Sequence, residues 1–132
     1  IKRSEIKKYE IRGYDQKELK NYINKTALSF DTDQKGLKKI FKQNKINFQQ
    51  FIKNYETELL WNTLIFQIYK NQTNVNIIEV KNEVSNIGKG KTEEELKKIR
   101  ETIINQKKQE KLSLFSRSHF SNLENSISIN FQ

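Results

Sequence analysis

At 132 residues, the chain is long enough for one hydrophobic core and too short for two ordinary domains, so we expect a single domain over residues 1–132. The absence of cysteine excludes disulfides and thiolate chemistry, and a single histidine leaves little for a metal site. With 34% hydrophobic residues, 31% charged residues and no proline, the composition favours a mainly α fold, and the net charge of +9 favours anionic partners.

Helix starts recur along the chain as a capping side chain followed three residues later by Glu or Gln. They are Asp15 with Glu18, Asp31 with Gln34, Asn47 with Gln50, Asn76 with Glu79, and Thr92 with Glu95. A short amphipathic helix over residues 1–10, with Ile6 and Tyr9 facing inward, precedes the first of these starts and ends near Gly13. The spacing therefore predicts a succession of short helices around longer ones.

The longest periodic segment predicts a central helix from Asn47 to Asn71. From Leu59 onward, apolar residues cover most of its circumference, so this half must be wrapped by neighbours or leave apolar surface open. Both outcomes are open at this point: a core helix that its own domain fully encloses, or an apolar surface left exposed, to which extended polypeptides would bind. The candidate client-binding residues are Trp61, Leu64, Ile65, Ile68 and Tyr69.

The C-terminal part, residues 92–132, predicts a closing helix and a β-strand. Gly88–Lys91 is the glycine-rich linker, and the helix after it is expected from Thr92 to Phe115. Residues from Ser126 to Phe131 alternate apolar and polar side chains, which is typical of a strand. Because a lone strand cannot satisfy its backbone groups, we expect it to pair with another copy of the chain in a homodimer or with a missing segment.

Three motifs that could carry chemistry are better explained structurally. Residues 88–92 lack the glycine that a phosphate-binding loop needs at the position of Ser85, and a helix precedes them where that loop requires a strand. His119 has no recognisable catalytic partners, and the glutamates at 93–95 suit the first turn of a helix. We therefore expect no enzyme activity, no cofactor, no metal and no small-molecule substrate.

A lysine cluster is the main argument for nucleic acid, because lysines neutralise phosphates. Its members are Lys35, Lys38, Lys39, Lys42 and Lys45, with Phe41 among them. Phe41 also belongs to an apolar stripe, and lysine is abundant along the whole chain, so nucleic acid is not the expected partner. A basic nucleic-acid-binding module and a structural homo-oligomerisation domain remain the alternative functions.

Several segments, taken in their order, resemble the chaperone domain of the SurA and PrsA-like family of extracytoplasmic foldases. They are Lys45–Phe51 with the long helix through Trp61 and Tyr69, the break Thr73–Asn76 followed by Ile77–Val80, Ile99–Lys107, and the closing Ser126–Phe131. In that family, a parvulin prolyl isomerase domain lies between the helices that here end near Ile87 and begin near Thr92. Only residues 88–91 stand there, so the isomerase is expected to be absent.

The resemblance implies an ATP-independent chaperone that binds unfolded or extended polypeptides, with outer-membrane proteins as its clients. It also implies a periplasmic location. Because the chain opens at Ile1 without methionine, we expect any signal sequence to have been removed. No apolar run is long enough to predict a membrane span. The family also begins with a strand and a helix that are missing here, which agrees with the unpaired terminal strand.

Overall fold

A computed structural model describes residues 1–130 and shows a mainly α protein, as predicted. The elements within that range are α1 (Lys2–Lys8), α2 (Gln16–Ser29), α3 (Gln34–Gln43), α4 (Phe48–Tyr69), a 3-10 turn (Lys70–Gln72), α5 (Ile77–Ile87) and α6 (Glu93–Asn130). The predicted central helix corresponds to α4. The predicted closing helix corresponds to α6, which continues well beyond Phe115.

The prediction of a C-terminal strand is wrong for residues 126–130, because these residues belong to α6. The last residue of the predicted strand, Phe131, lies outside the described residues. Neither glycine nor proline occurs after Gly90 to end the helix. A helix also satisfies its backbone hydrogen bonds internally, whereas a strand needs a second strand. The short alternating run therefore does not override the helix that precedes it. Residues 126–130 accordingly offer no strand through which the expected homodimer could pair.

Capping side chains set the helix starts, and four of the five predicted starts are confirmed. Backbone N–H groups donate to these caps: Lys17 to Asp15 at 2.9 Å, Gln50 to Asn47 at 3.1 Å, Ile78 to Asn76 at 3.0 Å, and Glu95 to Thr92 at 3.3 Å. The prediction for α3 is wrong by two residues. Asp33 caps α3 by accepting from the Gly36 N–H at 2.9 Å. Asp31 instead adopts a φ of 54° in the connection that follows α2.

The chain forms two compact units that divide within α4, after Leu64. In the first unit, α2 packs against α3. Their shared core consists of Ile23 and Ala27 from α2 and Leu37 and Phe41 from α3, with half-buried residues of the first turns of α4 packed against it. Aromatic rings link this core to α4, because Phe41 contacts Phe51 edge-on, with 5.0 Å between the ring centroids.

The second unit begins at Ile65, and within it α5 packs against α6. Its core contains Val80, Val84 and Ile103, flanked by less buried apolar residues of α6 and by Val75, which precedes α5. The predicted linker Gly88–Lys91 forms a turn between the two helices, in which the Lys91 N–H donates to the Gly88 carbonyl at 3.1 Å. Gly88 is buried, and a side chain there would collide with Leu96, so the turn brings the start of α6 close to the end of α5.

Candidate functional site

Three of the five predicted client-binding residues are core residues. The exposed fractions of Trp61, Leu64 and Ile65 are 1%, 0% and 2%. The expectation that this stretch leaves apolar surface open is therefore wrong for these residues, and for them the alternative of an enclosed core helix holds. Hydrophobic periodicity measures how much apolar area a helix carries, and it does not report which part of that area neighbouring segments cover.

The other two, Ile68 and Tyr69, are half-buried in the second unit. The Tyr69 hydroxyl lies 2.8 Å from Nδ1 of His119, and its ring stacks on Phe115 with 4.7 Å between the ring centroids. His119 is itself partly packed and belongs to this aromatic contact. Because Phe115 covers one face of the Tyr69 ring, Tyr69 offers less free apolar area than the sequence suggested. The five predicted residues therefore do not form an exposed binding surface.

A cavity of about 560 Å³ in the second unit offers the apolar surface that the predicted site lacks. We call it the α5–α6 groove, and its lining residues are Asn74, Val75, Ile77, Val80, Lys81, Arg100, Ile104 and Lys108. Val80 is buried and forms the floor, while Val75 and Ile104 are half-buried. The Ile77 side chain is 69% exposed at the first turn of α5. The groove therefore combines a preformed apolar floor with a large exposed apolar side chain.

Three cations surround this apolar surface: Lys81 on α5, and Arg100 and Lys108 on α6. All three residues are exposed, and no Asp or Glu appears among the described residues that line the groove. None of the three forms an ion pair with any described side chain. The groove therefore presents positive charge beside an apolar floor, and an acidic group of a ligand can approach it without displacing a carboxylate of the protein.

Neither acidic side chain of α5 lines the groove, and Lys107 contacts both of them. Its Nζ lies 2.9 Å from Glu83 and 4.0 Å from Glu79. The hydrogen bond to Glu83 is the main reason that the pKa of Lys107 lies above its usual value, with the nearby negative charges adding to the effect and partial burial opposing it. Lys107 therefore offsets part of the negative charge of Glu79 and Glu83, and neither carboxylate is among the residues that line the groove.

Two contacts hold residues 74–76, the segment that precedes α5 and contributes Asn74 and Val75 to the groove lining. Lys111 on α6 donates through Nζ to the backbone carbonyl of Asn74. Two residues later, the Asn76 side chain accepts from the Ile78 N–H at 3.0 Å and caps α5. The backbone on both sides of Val75 is therefore anchored, so Val75 lies at a fixed place beside Ile104.

A second cavity, of about 450 Å³, lies in the first unit between α1 and α4. Arg3, Lys7 and Lys53 contribute positive charge to it, and Glu56 contributes a carboxylate. Glu56 hydrogen-bonds to Tyr14, whose pKa is raised by burial and then by the negative charge of Glu56. Because this cavity already contains an acidic side chain, it is less suited to an acidic ligand than the α5–α6 groove.

No helix in the described part of the chain combines the length and the apolar character needed to cross a membrane. Among the described side chains, no three of the metal-binding types His, Asp and Glu are grouped closely enough to hold a metal ion. Comparison of the chain with protein-family models, with curated proteins and with solved structures gives no match.

Sequence reasoning did not identify the groove, although it contained a partial signal. Arg100, Ile104 and Lys108 recur every four residues, which places them on one face of α6 with an apolar residue between two cations. Ile77 and Ile78 are adjacent apolar residues at a helix start, and a neighbouring segment would have to cover a wide face of the helix to bury both of them. The sequence alone did not predict that Ile77 and Ile104 line the same cavity.

Proposed function

We propose that the protein binds unfolded or extended polypeptide segments without ATP, and that the α5–α6 groove is where it holds them. The observation that carries the proposal is the groove itself, which places the exposed Ile77 side chain beside the half-buried Val75 and Ile104. An apolar side chain of a client that enters the groove removes apolar area from water on both partners, which is the main favourable contribution to such binding.

The size and openness of this surface suit weak and broad binding. A cavity of about 560 Å³ accommodates one or two large side chains rather than a folded domain. An unfolded client also loses conformational freedom when it is held, which offsets part of the gain from burial. We therefore expect dissociation constants in the micromolar range and little discrimination among apolar side chains.

The resemblance of residues 45–107 to the SurA and PrsA-like foldases supports the same activity from a separate direction. The closing segment Ser126–Phe131 no longer adds to that support, because residues 126–130 are helical. On that basis, the proposal includes a periplasmic location and outer-membrane proteins as clients. It does not include prolyl isomerisation, because only residues 88–91 stand where those foldases carry the parvulin domain. The groove differs from the surface that the sequence suggested, since its apolar residues come from α5, α6 and the segment before α5 rather than from α4.

The test is a binding titration. A fluorescently labelled outer-membrane protein is diluted from urea into increasing concentrations of the chain, without nucleotide, and its anisotropy is recorded. The expected result is a saturable rise at micromolar concentrations that unlabelled unfolded protein reverses. A folded β-barrel of the same protein serves as the control and is expected not to bind. Absence of saturable binding to the unfolded form contradicts the proposal.

A second candidate function, binding to the backbone of nucleic acid, is favoured by one observation in the first unit. The lysines at positions 35, 38, 39 and 42 are all exposed on α3, whereas its apolar residues Leu37 and Phe41 are buried. No Asp or Glu occurs from residue 34 to residue 55. The four lysines therefore give α3 an exposed basic face without a carboxylate of its own, and no exposed residue of α3 is aromatic.

Salt dependence separates the two functions. If the four lysines of α3 each neutralise one phosphate of duplex DNA, the slope of log affinity against log salt is about −3.6. Lys39→Gln is then expected to reduce that slope by about 0.9, while Lys98→Gln, which removes a charge from α6, leaves it unchanged. A slope near zero would argue against the nucleic-acid function, and binding of an apolar client is expected to depend little on salt.

A further inference from the structure

The cations of the α5–α6 groove have a defined spacing. Arg100 and Lys108 are eight residues apart on α6, with Ile104 midway between them. A helix rises about 1.5 Å per residue, so the two cations are about 12 Å apart along its axis. Lys81 contributes a third positive charge from α5. The groove therefore has an apolar centre with positive charge at both ends.

An extended polypeptide has a repeat that matches this spacing. Successive side chains of an extended chain point to opposite sides, so residues i, i+2 and i+4 face the same way. At about 3.3 Å per residue, the first and last of these are about 13 Å apart. An acidic residue at i, an apolar residue at i+2 and an acidic residue at i+4 would therefore face Arg100, Ile104 and Lys108 at the same time.

We propose that the α5–α6 groove selects extended segments in which an apolar residue is flanked, two positions away on each side, by Asp or Glu. This inference rests on the proposed polypeptide binding and specifies which segments are held. Two features of the groove argue for a carboxylate: the cations form no ion pairs with described side chains, and no described acidic residue lines the cavity. The apolar floor argues against a ligand that carries charge alone.

Four labelled peptides of equal length test this pattern. The first contains Asp-Ser-Leu-Ser-Asp between Gly-Ser flanks. The second contains Ser-Asp-Leu-Asp-Ser and so has the same composition with the carboxylates directed away from the side that carries leucine. The third replaces both aspartates of the first with asparagine, and the fourth replaces its leucine with serine. Dissociation constants are measured by anisotropy at low ionic strength.

The first peptide is expected to bind most tightly. Exposed ion pairs contribute modestly, so its affinity should exceed that of the asparagine peptide by about fivefold to tenfold, and salt should reduce the difference. The second peptide should be weaker than the first despite its identical charge, and the serine peptide should bind weakest. Equal affinity of the first, second and third peptides would overturn the acidic pattern while leaving apolar binding intact. Failure of all four, together with failure of the unfolded client, would instead overturn the proposed function.

Substitutions in the protein provide an independent check. Arg100→Gln and Lys108→Gln should each lower the ratio of the affinity for the aspartate peptide to the affinity for the asparagine peptide, because only the aspartate peptide loses a charge partner. Lys98→Gln removes the same charge from an exposed position of α6 that does not line the groove, and it should leave the preference intact. An equal loss of preference in Lys98→Gln would show that net charge, rather than the groove, selects the peptide and would overturn the inference.

Discussion

Two adjacent isoleucines at the start of α5 allow a matched test of the groove. Ile77 and Ile78 are 69% and 70% exposed, and both lie in the first turn of the same helix. Only Ile77 lines the α5–α6 groove. Ile77→Ala should therefore weaken binding of an unfolded client, whereas Ile78→Ala removes an equal amount of exposed apolar area outside the cavity and should leave the affinity unchanged.

The expected magnitude follows from the area that a client can cover. Replacing isoleucine with alanine removes three carbon atoms, which are worth about 2.4 kcal/mol if they pass from full exposure to full burial. Since Ile77 is already partly covered, complete coverage by a client gives an upper limit of about 1.7 kcal/mol, or about 15-fold in affinity. A client that covers half of the exposed area gives about 0.8 kcal/mol, or about fourfold.

Anisotropy titration of both variants against the same unfolded client measures this difference directly. Circular dichroism should first show that both variants keep their helices, and alanine favours the helical state, so neither is expected to unfold. A loss of about fourfold to 15-fold for Ile77→Ala alone agrees with the groove. Identical dissociation constants for the two variants would refute the assignment of Ile77 to the binding surface.

Three further predictions concern stability and charge. Gly88→Ala places a Cβ 2.2 Å from Cδ2 of Leu96, so urea unfolding should show a loss of stability of about 1–3 kcal/mol. Gly13→Ala is the control and should change the stability little, because no atom lies within 4 Å of the added Cβ. Equal effects of the two substitutions would contradict this packing. The folded-state pKa of Lys107 is raised, mainly through its hydrogen bond to Glu83, so its contribution to stability is present below the usual value of 10.5 and is lost as pH rises through the higher folded-state value. Lys107→Met should therefore reduce the fall in unfolding free energy between about pH 10 and pH 12. Replacing all four lysines of α3 with glutamine should abolish any salt-dependent binding to duplex DNA and leave client binding unchanged, whereas loss of client binding would place the client on α3.

Helix positions were predictable from the sequence because their causes are local. Asn76 and Thr92 cap their helices through N–H groups two or three residues away, and such contacts can be inferred from spacing alone. The error at Asp31 has a local cause as well. Two aspartates flank Thr32, both can cap a helix, and the structure uses the second one. The composition likewise sufficed to predict a mainly α fold.

Burial was harder to predict because it depends on distant segments. Trp61 and Leu64 lie on a helix that is apolar around most of its circumference, and the sequence did not indicate which side would be enclosed. The groove is the opposite kind of error, because it is an exposed surface that the sequence did not predict. Its residues Ile77 and Ile104 are 27 positions apart, and each is unremarkable in its own helix. Only the packing of α5 on α6 brings them together.

The helix pairs within each unit have a consequence for folding. α2 pairs with α3, its immediate successor in the chain, and α5 pairs with α6 across the turn at Gly88. Contacts between neighbouring segments close short loops, and chains with such low contact order fold in microseconds to milliseconds. All the residues that line the groove occur between Asn74 and Lys108, so its assembly requires only one helical hairpin to form. A binding surface built in this way would be ready soon after its own segment is synthesised.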